Sequence, residues 1–173
     1  MLPEGLHLAV TGAPLELEAR RAHDGRIVVA QRVDGALRPT AARSATFPLG
    51  IADAVRVRLL RADGSVAHEE RRHLCPNGAV EPRRFDPATG RLGRPASGGM
   101  PWSCGYLLSR SAVWGLGADR AATLVTVAGA AGRAPALPAG PYTLEVTVDP
   151  DGLLLDADRA NDTAAVPVRL RRE

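Results

Sequence analysis

The sequence predicts an all-β domain, folded as a single antiparallel β-sandwich with one long Gly/Pro-rich loop, and three observations predict it. Short segments alternate apolar and polar residues with a period of about two, as half-buried strands do, while no stretch sustains the helical period of about 3.6. Turn formers are dense, with 18 Gly and 14 Pro among 173 residues, and turn signals about every ten residues suit a sandwich of short strands. Aromatics make up only 3% of a chain that is 45% hydrophobic and 24% charged, which points to a small-residue, turn-rich β interior. At this length and composition the chain reads as one globular domain over residues 1–173, neither disordered nor collagen-like.

The elements follow in order. Leu6, Leu8 and Val10 alternate with polar or small residues, and Leu15 and Leu17 continue the pattern. Arg26 to Val33 reads as a strand closed by the Asp34-Gly35 turn signal. Val55, Val57 and Leu59 alternate with Arg56 and Arg58, then Ala62-Asp63-Gly64-Ser65 turns the chain into Val66 to Leu74. This is the clearest hairpin. Its Glu69, Glu70, Arg71 and Arg72 belong on a wet face or an exposed edge, where charge discourages edge-to-edge aggregation. The stretch from 76 to 105 is read as an irregular excursion, punctuated by Gly78, Pro82, Pro87, Gly90, Gly93, Pro95, Gly98, Gly99 and Pro101. Ser111 to Leu116 and Thr123 to Val127 are short strands, followed by an Ala/Gly/Pro loop over 128–141. Tyr142 to Val148 and Ala164 to Leu170 alternate strictly, and Pro167, which has no N–H to donate, puts the last strand at an edge or a bulge. Such a set of short strands is the immunoglobulin-like arrangement.

Charge excludes some functions. All 22 basic residues are Arg, a compositional bias, and they interleave with 19 acids for a net charge of +3 without a basic arm or stripe. Nucleic-acid binding also wants stacking aromatics beside the arginines, and two Trp, two Tyr and two Phe are a poor platform. No apolar run approaches the ~20 residues of a membrane helix.

Chemistry-bearing residues are few. Cys75 and Cys104 form no C-x-x-C pair, which disfavours a structural zinc or thioredoxin-type site. A disulfide between them would close ~30 residues of the least regular part of the chain and contribute roughly 3–4 kcal/mol; two buried free thiols are the alternative. His7, His23, His68 and His73 are scattered, and the spacing of His68 and His73 puts them on opposite faces of one strand. No G-x-S-x-G, catalytic triad or phosphate loop is present, so no catalytic residue is assigned. Asp149, Asp151, Asp156 and Asp158, with Asn161 and Asp162 nearby, offer oxygens for a Ca²⁺ ion without EF-hand spacing; turn formation is the competing reading. Trp102, Tyr106 and Trp114 cluster around the second cysteine, either as a small core or as a contact platform for a protein or glycan partner.

The run Gly140-Pro141-Tyr142-Thr143-Leu144-Glu145-Val146-Thr147-Val148-Asp149-Pro150, continuing to Leu155, Asp156, Asp158, Asn161 and Asp162, resembles a pattern near the C-terminus of lysyl-oxidase-like domains and related extracellular β-sandwich modules. Leu74-Cys75-Pro76-Asn77-Gly78, Pro101-Trp102-Ser103-Cys104 and Val113-Trp114-Gly115 are similar to secreted actinobacterial proteins allied to that family. The resemblance implies a secreted β-sandwich but not an amine oxidase. The family's copper needs a tight His cluster, and its quinone needs a Tyr and a Lys, whereas this chain has no Lys. Met1-Leu2-Pro3-Glu4-Gly5 lacks the basic and apolar regions of a signal peptide; the resemblance favours a mature exported domain over a cytosolic one. The expectation is a non-catalytic secreted binding or structural module that contacts its partner through Pro76 to Tyr106. The alternatives are a calcium-dependent module and a divergent enzyme related to lysyl oxidase.

Overall fold

A computed structural model describes residues 6–43, 50–76, 83–95, 111–125 and 137–171. Their strands are β1 (Leu6–Val10), β2 (Leu15–Arg21), β3 (Ile27–Val33), β4 (Ala36–Arg43), β5 (Ile51–Leu60), β6 (Val66–Leu74), β7 (Arg83–Asp86), β8 (Arg91–Pro95), β9 (Ser111–Leu116), β10 (Arg120–Val125), β11 (Gly140–Val148) and β12 (Thr163–Leu170). The described residues contain no α-helix, only a single 3₁₀ turn at Arg159–Asn161. None of their helices is long and apolar enough to cross a membrane.

The strands form three antiparallel sheets of four, in the orders β4-β3-β2-β9, β12-β11-β5-β6 and β1-β10-β7-β8. The expected class is therefore met, all-β and antiparallel, but the chain builds three sheets. The first two share one apolar cluster. Leu17, Ala19, Val29, Ala42 and Trp114 come from the first sheet; Ile51, Ala54, Val55, Val57, Leu74 and Val146 come from the second. Each large aliphatic side chain buried there contributes roughly 1.5–3 kcal/mol. The interior is mostly Ala, Val and Leu, as an aromatic-poor sequence requires.

Local chemistry explains the hairpins. The β3–β4 turn has positive φ at both Asp34 (51°) and Gly35 (76°), the backbone that a tight two-residue hairpin demands and that Asp-Gly accepts. β4 itself was not expected, because Pro39 and three alanines hide its alternation. The pairing of β3 with β4 slips between Val28 and Ala30, and the Thr40 hydroxyl donates to the Val29 carbonyl there at 2.8 Å. In the β5–β6 turn, Asp63 accepts from the Ser65 N–H at 2.9 Å and Gly64 sits at φ 80°.

β6 is an edge strand. Its His68, Glu70 and Arg72 lie opposite Leu59, Val57 and Val55, so half of its polar side chains share the face of the core, at the rim where inward charges block further pairing. β12 is the opposite edge, and Pro167 pairs with Thr143 in unbroken register. The missing N–H of Pro167 is thus harmless, and no bulge is needed.

Three expectations are corrected. Leu6–Val10 and Leu15–Leu17 are not one ladder: β1 pairs with β10 in the third sheet, and β2 pairs with β3 and β9 in the first. The strand expected at Thr123 already starts at Arg120, while residues 126 and 127 lie outside the described residues. The described part of the stretch expected to be irregular is instead the β7–β8 hairpin. The chain changes sheets twice at one place, between β1 and β2 and between β9 and β10, where the Asp119 N–H donates to the Val10 carbonyl at 2.9 Å. Asp119 takes φ 55° to make that crossing.

Candidate functional site

Two regions bring the expected site residues into view. The first is the connection from β11 to β12. Asp149 leaves the strand at φ 47° and is buried at 3% exposure. Its carboxylate accepts from the Leu153 N–H at 2.7 Å and the Leu154 N–H at 2.9 Å, and its own N–H donates to the Ala54 carbonyl at 2.7 Å. Its carbonyl accepts from Arg159 Nη2 at 2.6 Å. The Arg159 guanidinium lies over Gly152, where any Cβ would collide with it. Asp149 thus folds the connection back onto the second sheet.

The other three acids expected as calcium ligands point to different partners. Asp151 forms a two-pronged ion pair with Arg71, which holds the Asp151 carboxyl below its ordinary range. Asp156 accepts from the Asp158 N–H at 2.9 Å. Asp158 accepts from the Ala160 N–H at 3.0 Å and caps the 3₁₀ turn. Asp162 is pushed up to about 6, first by burial and then by the Asp156 carboxylate, while Arg159, 3.4 Å away, opposes the shift. Among the described residues, no three His, Cys, Asp or Glu side chains gather as a metal set. Asp149, Asp156 and Asp158 thus accept backbone N–H groups of their own connection, while Asp151 meets an arginine of β6.

The second region is the segment from 76 to 106. Its entry is tightly held. Pro76 is fully buried, and Cys75 packs partly buried against the shared cluster. Gly50, at φ 85°, runs so close to the Leu74 carbonyl that no side chain fits. Cys75 is not a free thiol. Cys104, Trp102 and Tyr106 lie outside the described residues.

Trp114 corrects the expectation of a contact residue. It sits on the inner face of β9 opposite Leu17, at 3% exposure, inside the shared cluster. A side chain so enclosed fills the interior and presents nothing to a partner. The pleat of β9 decides this, since it turns the neighbouring Val113, at 42% exposure, to the outer face.

The β7–β8 hairpin is closed by Asp86-Pro87-Ala88-Thr89-Gly90. Asp86 accepts from the Thr89 hydroxyl at 2.6 Å and the Ala88 N–H at 2.9 Å, which together hold its carboxyl below the ordinary range. The Gly90 N–H returns to the Asp86 carbonyl at 2.8 Å. Arg83 Nε donates to the Gly93 carbonyl across the pair at 2.8 Å, and the Phe85 N–H reaches the Asp119 carbonyl at 2.9 Å. Beside the turn lies an open hollow of about 500 Å³ whose lining includes Arg84, Phe85, Asp86, Thr89, Arg91 and Leu92.

Arg84 stands directly opposite Arg120 of β10. Among the described residues, no carboxylate forms an ion pair with Arg84, Arg91 or Arg120. These three arginines were missed from the sequence, where basic residues look evenly spread. The turn signal Asp86-Pro87 flanked by arginines was the only local clue. The histidines make no such group: His7 lies 3.4 Å from the Thr123 hydroxyl, His68 is half-buried on β6, and His23 and His73 are exposed.

The chain matches no protein-family profile, no curated protein and no solved structure.

Proposed function

We propose that the protein is a non-catalytic binding or structural module that works outside the cell and contacts a protein or glycan through the segment from Pro76 to Tyr106. The core is an immunoglobulin-like sandwich extended by the third sheet, and a Cys75–Cys104 disulfide closes the segment. The observation that carries the reading is the β7–β8 hairpin, an ordered and largely exposed excursion hung from a packed two-sheet core. Rigid sandwiches place their binding residues on such excursions. The bonded state of Cys75 supports the disulfide, since Cys104 is the only other cysteine in the sequence. That bond in turn supports an oxidising compartment. The C-terminal resemblance to extracellular lysyl-oxidase-like modules agrees, and a chain with no Lys lacks the residue that the family's quinone requires.

The test is a binding screen of the wild type and a Trp102→Ala/Tyr106→Ala variant against protein and glycan arrays. The reading expects ligands that the wild type retains and the variant loses at unchanged melting temperature. Undiminished binding by the variant, or two titratable thiols in the unreduced protein, overturns it.

A further inference from the structure

We propose that the β7–β8 hairpin is the docking surface for an acidic polysaccharide, a chain of uronate-type sugars whose carboxylates engage Arg84, Arg91 and Arg120. The proposal rests on the binding-module reading and names its partner.

Charge distribution carries it. In the first two sheets and the β11–β12 connection, arginine is mostly neutralised: Arg20, Arg32, Arg58, Arg71, Arg72 and Arg159 each meet a carboxylate within ion-pair distance. In the third sheet, Arg84 instead faces Arg120 across a strand pair, a like-charge juxtaposition that weakens a sheet. The nearest acid of the hairpin, Asp86, is held by the turn it closes, bonded to the Ala88 N–H and the Thr89 hydroxyl. A bound anion would relieve the repulsion that the fold leaves in place.

The shape selects the kind of anion. Phe85 and Leu92 give the open hollow an apolar lining, and Arg84, Arg91 and Thr89 supply donors around it. A sugar ring has an apolar face and a polar perimeter, and a guanidinium fork matches a carboxylate in two bonds. Single exposed contacts of this sort contribute little, so a repeating anion that spans several arginines is the ligand that gains from the arrangement. An acidic peptide would instead add a strand to β8, the edge of this sheet. That edge is poor for pairing, because Pro95 has no N–H and the Gly93 carbonyl already accepts from Arg83.

Affinity for polygalacturonate, measured by titration calorimetry, tests the proposal. Methyl-esterified polygalacturonate supplies the same backbone without charge, and poly-glutamate supplies the same carboxylates on a peptide. The wild type should bind the acid form and not the ester. Arg84→Ala/Arg91→Ala should weaken binding about tenfold or more, whereas Arg21→Ala/Arg43→Ala, which removes two charges from the first sheet, should change it less than about twofold. No binding of the acid form, equal losses in the two double variants, equal binding of the ester, or a preference for poly-glutamate overturns the proposal. A neutral glycan or protein that Arg84→Ala/Arg91→Ala still binds and Trp102→Ala/Tyr106→Ala does not would sink this inference and leave the module reading standing.

Discussion

Gln31 and Leu155, 124 residues apart in sequence, close a two-bond clamp: Gln31 Nε2 donates to the Leu155 carbonyl at 2.8 Å, and the Leu155 N–H donates to Gln31 Oε1 at 2.8 Å. Gln31 lies on the inner side of β3, opposite Leu17, at 8% exposure. Its amide stands in for a strand partner and ties the β11–β12 connection to the first sheet. Gln31→Ala leaves both Leu155 groups without that partner, a cost of about 1–3 kcal/mol. A melting temperature lowered by roughly 2–10 °C is expected, and an unchanged one would show that water replaces the amide at no cost.

Asp149 does for its own loop what Gln31 does between sheets. Asp149→Ala removes an acceptor from two N–H groups and puts a Cβ-only residue at φ 47°, so a loss of about 2–4 kcal/mol is expected. Asp149→Asn keeps one acceptor oxygen and tolerates that backbone, so its loss should be smaller. Urea titrations of the two variants check the order. Because the backbone N–H groups already hold this carboxylate, added calcium followed by EDTA should leave the melting midpoint in place; a rise with calcium would revive the ion-binding reading.

The Asp162 carboxyl makes stability depend on pH in an uncommon direction. Raised from 3.8 to about 6 by burial and Asp156, it holds its proton in the folded state over a range where the unfolded chain has lost it. More protons bound to the native state means stability falls as pH rises through that window, from about 4 to about 6. The depressed carboxyls of Asp24, Asp63, Asp86, Asp151 and Glu69 act the opposite way, and their effect belongs below their ordinary values. Asp162→Asn should flatten the slope between pH 4 and 6 in denaturant melts, and an unaltered slope would place its origin elsewhere.

Trp114→Ala removes the largest side chain of the shared cluster and should destabilise by about 3–5 kcal/mol. Trp114→Phe should recover part of that loss. A variant as stable as wild type would contradict the burial, and altered binding at full stability would return Trp114 to the contact surface.

Much of the fold was legible in local patterns. Val55 to Leu59, Tyr142 to Val148 and Ala164 to Leu170 carry alternation, and Asp63-Gly64 supplies turn chemistry that acts within a few residues. Pro167 announced an edge for a reason confined to its own missing N–H. β4 and β8 are hidden in the sequence because Pro39, Gly93 and Pro95 interrupt their alternation, and β7 because it is only four residues long; ladder bonds of β4 to β3, of β7 to β10 and of β8 to β7 hold them as strands regardless.

Local patterning is enough to make this chain β, antiparallel and aromatic-poor, because alternation, turn residues and side-chain volume are properties of neighbouring positions. Long-range packing parts β1 and β2 into different sheets, turns Trp114 inward, and gives Asp149, Asp151, Asp156 and Asp158 separate partners. It also decides which arginines are neutralised and which are not. A net charge counts groups without regard to place, whereas Coulomb energy and hydrogen bonding depend on separations of a few ångströms. Arg71 and Asp151, 80 positions apart, meet in that range, while Arg84 meets another arginine.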